Sequence, residues 1–216
     1  MTPSRLALAL LLAHSLAPAQ PRPAPVSPAP AISLDELLRR FRTVPGISAR
    51  FREARQMQLL AAPLVSEGAL HFAAPGRLVR RTESPELAVA LLEGNRLRFR
   101  DGSGEQSLDL DAMPAARQFL ESFTALVAGD RAALARSYDL DFVPQGASAW
   151  RLTMRPRVPA LSRVFRAIEV AGDGVALRTL VVREVSGDVS ETTFTEVRTD
   201  RRFTAEEAAR VFRLSP

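Results

Sequence analysis

Between residues 51 and 99 the apolar residues recur at every second position in short runs, and the runs are broken at Gly68, Pro75, Pro85 and Gly94. A period of two places alternate side chains on opposite faces of an extended chain, which helices cannot satisfy. Glycine and proline at the breaks end each strand and turn the chain back. The clearest case is Arg96-Leu97-Arg98-Phe99-Arg100, with arginine on one face and apolar side chains on the other. Such a block can fold only as antiparallel sheet with one wet side.

The same reading extends to both sides of the block. Ile47, Ala49 and Phe51 alternate with Ser48, Arg50 and Arg52, and further strands are expected over residues 65–72, 77–82, 87–92, 96–100 and 106–110. Helices interrupt the series at three places. Ser33-Leu34-Asp35-Glu36 has the form of a capping box and opens a helix to about Phe41, whose apolar face is Leu34, Leu37, Leu38 and Phe41. A second amphipathic helix is expected from Pro114 to Ala128 and a shorter one over 131–137. Strands resume over 140–143, 149–155, 166–171, 175–185 and 189–198, and Thr204 to Glu207 forms a weaker cap for a terminal helical turn. The class is α+β, built on one large antiparallel sheet.

The N-terminus addresses the chain for export. One arginine precedes the apolar run Leu6 to Ala13, and Ala17-Pro18-Ala19 offers small residues for cleavage. Residues 1–19 therefore read as a signal peptide cleaved after about Ala19. Residues 20–32, rich in proline and alanine, read as an extended tether, and residues 33–216 as one domain. Every basic residue is arginine, for a formal net charge of +5. An excess spread over many strands of an exported chain argues against nucleic acid, and attraction to anionic lipid head groups is the better use of it.

Catalytic and metal chemistry find little to work with. Beyond the signal segment the chain has one histidine, His71, no cysteine and no Gly-x-Ser-x-Gly elbow. A serine hydrolase would lack its turn and a choice of base, and clustered thiolate or imidazole metal sites are excluded. Glycines sit singly in turns rather than ahead of helices, so no phosphate loop is present. No enzyme and no cofactor are expected.

Gly68-Ala69-Leu70-His71-Phe72-Ala73-Ala74-Pro75, then Pro85, Glu93-Gly94 and Leu97 to Phe99, resembles the N-terminal half of LolA, the periplasmic carrier of outer-membrane lipoproteins. The strand pair over residues 166–198 is similar to its C-terminal half. The resemblance implies a sheet curled into an incomplete, half-open barrel, with an apolar concave face covered by lid helices. It implies a monomeric periplasmic binding protein that carries an acylated lipoprotein; the alternative is a carrier or sensor for another lipid-like envelope cargo, such as a glycolipid or lipidated pigment. It also implies an inner-membrane donor complex and an outer-membrane acceptor. On this likeness the groove is expected to be lined by Phe51, Leu70, Phe72, Leu78, Val89, Leu91, Leu97 and Phe99, with Phe119 and Phe123 from the lid helix. Arg80 is the candidate contact for a head group or for the lid. Periodicity alone does not separate lipid contact from ordinary core packing at these positions.

The chain departs from the family pattern at named places. Ala74 stands where an arginine usually latches the lid, Glu53 where a glutamine is usual, and His71, Arg80 and Arg98 where tryptophans are habitual.

Overall fold

A computed structural model describes residues 31–215. The proposed signal peptide and most of the tether lie outside the described residues. Ile32, at the tether's end, is buried in the core.

Eleven strands form one sheet: β1 (Gly46–Gln56), β2 (Leu64–Ala73), β3 (Arg77–Ser84), β4 (Ala88–Glu93), β5 (Arg96–Asp101), β6 (Gly104–Asp109), β7 (Tyr138–Pro144), β8 (Ala149–Pro156), β9 (Phe165–Asp173), β10 (Ala176–Glu184) and β11 (Val189–Arg198). Their order is β6-β5-β4-β3-β2-β1-β11-β10-β9-β8-β7, with every neighbouring pair antiparallel. Two meanders are thus joined through β1 and β11, and β6 and β7 remain as free edges. The sheet is antiparallel throughout, as its alternation led one to expect, and it is an open barrel, as the family resemblance implied.

Five helices accompany it: α1 (Leu34–Phe41), α2 (Pro114–Val127), α3 (Arg131–Ser137), α4 (Pro159–Ser162) and α5 (Ala205–Val211). Leu110, expected to end a strand, opens a single 3-10 turn instead, because Asp109 accepts from the Asp111 amide and bends the chain. The two caps exchange the strengths expected of them. Ser33 accepts from the Glu36 amide at 3.2 Å, but the Glu36 carboxylate turns to Arg39 and Arg40 rather than back to Ser33. At Thr204 both halves of the capping box form, each at 3.1 Å.

The larger core lies between the concave face and α1 to α4. Leu37, Leu38 and Phe41 of α1 pack with Trp150, Leu152 and Ile168 of the second meander. Trp150 meets Phe41 edge-on at 6.3 Å and stacks on Phe142 at 6.2 Å, while its indole N–H donates to the Gly174 carbonyl at 2.8 Å. The ring lies over Gly172, its cross-strand partner, where a Cβ would come within 2.7 Å of the indole. Residue 172 must therefore be glycine for this tryptophan to be buried.

A second apolar cluster covers the convex face. Phe212 and Leu214, after α5, pack on Val79, Val89 and Leu91. Arg81 fastens this segment: its guanidinium donates to the carbonyls of Val211 at 2.8 Å, Arg213 at 2.7 Å and Ser215. His71 sits beside it, its Nδ1 at 2.9 Å from the Ser48 hydroxyl and its ring edge-on to Phe203. Burial, then the charges of Arg81 and Arg201, hold the His71 pKa below its ordinary value of 6.5.

A histidine with a lowered folded pKa stabilises the fold in full above its unfolded value and loses that contribution as pH falls through the folded one. The melting temperature of the wild type should therefore fall more steeply between about pH 7 and pH 5 than that of His71→Gln. Parallel curves would show that His71 does not feel its surroundings.

Candidate functional site

The concave face can be read as rows of paired residues. One row runs Phe72, Leu78, Leu92 and Leu97, and the next runs Leu70, Arg80, Ala90 and Phe99. On the other side of β1, Phe51 pairs with Phe194, and Glu53 with Thr192, which pairs in turn with Leu180. Small side chains stand among the large ones on both sides of the bridge, Ala90 on β4 and Ser190 and Thr192 on β11. Helix α2 turns Phe119, Leu120 and Phe123 toward the same space.

The space left between them is a cavity of about 350 Å³. Its wall includes Phe51, Leu70, Leu78 and Leu97 from the first meander, Phe119 and Phe123 from α2, and Arg80, all of them expected from the sequence. Four other expected residues lie elsewhere. Phe72 is buried behind the wall, edge-on to Phe123 at 6.3 Å. Phe99 shares the concave face but is half-buried beyond the wall. Val89 and Leu91 point through the opposite face of the sheet, into the cluster with Phe212 and Leu214. Their placement corrects the sequence expectation: β4 reads Ala88-Val89-Ala90-Leu91-Leu92, apolar on both faces, and Val89 and Leu91 belong to the convex side while Ala90 and Leu92 line the cavity.

The wall also contains Ala90, Leu92, Leu120, Leu180, Val182 and Phe194, none of which the sequence had singled out. Leu180-Val181-Val182 is apolar at consecutive positions, so alternation does not say which face turns inward. Pairing with β11 decides it.

The cavity has one polar end. Arg80 donates to the Glu53 carboxylate at 2.9 Å and to the Ser66 hydroxyl at 3.1 Å, and its guanidinium stacks over Phe51 at 4.3 Å. The ion pair is partly solvated, with side-chain exposures of 36% and 22%. At the opposite end Leu92 and Leu120 are shared with an open groove of about 710 Å³, rimmed by Asn95, Asp111, Arg117, Glu121 and Asp130. Pro75 and Gly76 form its sheet side, next to Ala74.

Helix α2 is anchored unevenly. Leu126 and Val127 are buried, and the Ser122 hydroxyl lies 2.8 Å from the Tyr138 hydroxyl, whose pKa burial pushes up. The N-terminal half of α2, which carries Phe119 and Leu120, has no buried residue.

The model of the family described as outer membrane lipoprotein carrier protein LolA-like matches residues 26–214. The chain belongs to this LolA-like family. No curated protein matches it. Among solved structures, the LolA-like chain is similar to a LolA superfamily protein from Nitrosomonas europaea at 10% identity, covering 85% of this chain and 98% of that one with a TM-score of 0.46. A DUF1329-family protein from Desulfovibrio piger follows at 9% identity, 83% and 96% coverage and a TM-score of 0.49. A chain of the MucA/MucB complex of Pseudomonas aeruginosa is 14% identical, with 81% and 59% coverage and a TM-score of 0.46. Membership rests on the family match alone.

Filling the cavity of this LolA-like chain tests its role without unfolding it. Ala90→Leu should leave the melting temperature unchanged or raised, because the added side chain enters empty space, and should weaken binding of a fluorescent fatty acid at least about tenfold. Leu78→Asp should abolish that binding, since an unpaired carboxylate in an apolar wall repels a hydrocarbon chain. Unchanged affinity in both variants would show that the probe binds outside the cavity.

Proposed function

We propose that this protein is a periplasmic carrier that holds the acyl chains of a lipoprotein between the concave sheet and α2 and moves them from the inner to the outer membrane. The single observation that carries the reading is the apolar cavity beneath α2. Each buried methylene gains about 0.8 kcal/mol, so a long acyl chain in water is unfavourable by on the order of 10 kcal/mol. A sheltered apolar wall with an arginine-rich exterior removes that cost while keeping the complex dissolved. The family match and the carrier name of the family support the same reading. It assigns no catalytic role and no cofactor to the chain, and residues 1–19 act as the export signal.

Release requires a state in which the cargo binds better elsewhere. The cavity of about 350 Å³ is small for several chains. Scaled from a 150 Å³ cavity that accepts benzene, it holds on the order of a dozen carbon atoms. Loading a multiply acylated lipoprotein therefore needs α2 to swing outward. Its anchored end at Ser122, Leu126 and Val127 would serve as the pivot, and Phe119 and Leu120 would leave the sheet.

The Arg80–Glu53 pair favours a second reading, in which the cargo is a lipid with a single chain or a charged head group, such as a glycolipid or a lipidated pigment. A cavity of this volume suits one chain, and Arg80 offers a donor to a phosphate or carboxylate at the cavity's polar end.

Native mass spectrometry of the protein purified from its own periplasm, with extraction of whatever travels with it, separates the two. A one-to-one complex with an acylated polypeptide is expected for the lipoprotein carrier. A free lipid or pigment, with no lipoprotein captured from supplied donor membranes, supports the second reading. A chain that carries neither, and takes up no fatty acid, overturns both. Under the second reading Arg80→Gln should also lower affinity for an anionic lipid more than for its neutral counterpart; equal loss would assign Arg80 to the protein's own packing.

A further inference from the structure

Among the described residues, the large apolar side chains left most exposed are Leu59, Leu60, Leu64, Leu87, Met113, Val143, Val164 and Val185. All but Met113 and Val143 lie at one end of the sheet. The register shows this: Arg55 pairs with Leu64, Gln56 with Val189, Glu67 with Ser84, and Glu184 with Phe165. The loops at this end are therefore those between β1 and β2, β3 and β4, β5 and β6, and β10 and β11, together with the segment leading from α4 into β9.

The β1–β2 loop is the most apolar of them. It reads Met57-Gln58-Leu59-Leu60-Ala61-Ala62-Pro63-Leu64, without a charge, and Leu59 is 92% exposed at its tip. It is held in place by polar contacts. The Leu60 amide donates to the Met57 carbonyl at 3.1 Å, and the Gln58 amide donates to the Asp188 carboxylate of the β10–β11 turn at 3.1 Å. Val185 of that turn donates its amide to the Val164 carbonyl at 2.9 Å, which joins the third segment to the same rim. The leucines are thus displayed by a built loop, where a chain seeking only its own stability would have turned them inward.

Charge says what the rim meets. The acids beside the β1–β2 loop are neutralised from within: Glu184 and Asp188 both face Arg55, at 3.0 and 3.9 Å, whereas Glu86 and Asp101, farther along the same end, make no ion pair among the described residues. Arg163 and Arg166, on either side of Val164 and Phe165, are exposed and make no ion pair among the described residues. Leu87 stands apart on the same end, next to Glu86. Apolar side chains at a tip with unpaired arginines behind them match the boundary of a bilayer with anionic head groups: the leucines enter the acyl region and the guanidinium groups meet phosphates. The cavity's polar end, with Glu53, Arg80 and Ser190, lies a few residues up β1, β3 and β11 from this rim.

We propose that the β1–β2 loop and the arginines at 163 and 166 form a membrane-docking edge, which sets the polar end of the cavity against an anionic lipid surface. Docking is transient, because the patch is small and its charge is screened by salt. The proposal goes beyond the carrier reading and holds for either cargo.

The test uses the mature chain with vesicles of phosphatidylethanolamine and phosphatidylglycerol, and with vesicles of phosphatidylcholine alone. In flotation at low salt, the wild type should rise with the anionic vesicles and not with the neutral ones. Leu59→Ser with Leu60→Ser, and separately Arg163→Gln with Arg166→Gln, should each lose at least about tenfold in binding while retaining wild-type uptake of fatty acid. Since Trp150 is the sole tryptophan and is fully buried, Leu59→Trp supplies a local reporter, and its emission should shift to the blue on anionic vesicles alone. Equal binding of all variants, or no shift at position 59, would overturn the proposal, as would leucines needed only for transfer to a protein acceptor and not for vesicles. Loss of fatty-acid uptake in Ala90→Leu would be unaffected by any of these outcomes, so the docking edge and the carrier reading fail separately.

Discussion

The pairing of β1 with β11 is the contact on which the rest of the molecule depends. Each meander by itself is an open sheet with an apolar face and no partner. Joined at Phe51 and Phe194, the two become one curved surface, with α1 to α4 filling the concavity. The bridge also sets registers far from itself, because each further strand is hung by hydrogen bonds on the one before it. A slip of one residue in β1 would turn Glu53 out of the cavity and set Arg52 opposite Thr192 in its place.

The cavity is a consequence of that curvature and of residue size. In most cores large and small side chains interdigitate until no space remains. Here Ala90 on β4 and Ser190 and Thr192 on β11 line the cavity where larger side chains would narrow it, and Phe119 and Phe123 of α2 border the space without filling it. Arg80 shows the same compromise. A guanidinium on the concave face is tolerated because Glu53, Ser66 and the face of Phe51 satisfy it, and that satisfaction gives an otherwise greasy chamber a polar end.

The alternation in β1, β2 and β5 was legible because each of these strands has one apolar and one polar face. Phe51, Leu70 and Leu97 could be assigned to the concave side on that ground alone. In β4 and β10 both faces are apolar, since α5 and the C-terminal segment cover the convex side of β4, and parity there carried no information. Such a parity assigns Val89 and Leu91 to the groove, where the fold does not put them, and does not single out Leu180 and Val182, which line it. The covering segment was itself underestimated: Thr204 and Glu207 form the stronger capping box, and Arg81 fastens three carbonyls beyond it.

The class of fold, the positions of nearly all strands and helices, and the family resemblance are all written in the order of the residues. Period-two alternation, turn glycines and helix caps act over a few residues and do not depend on what lies opposite. Which apolar residues enclose space and which fill it emerges only on folding, because that distinction belongs to surfaces brought together from distant parts of the chain. The same holds for Leu59 and Leu60: an apolar loop reads like any other short apolar run until the fold leaves it uncovered at the end of the sheet, beside arginines a hundred residues away.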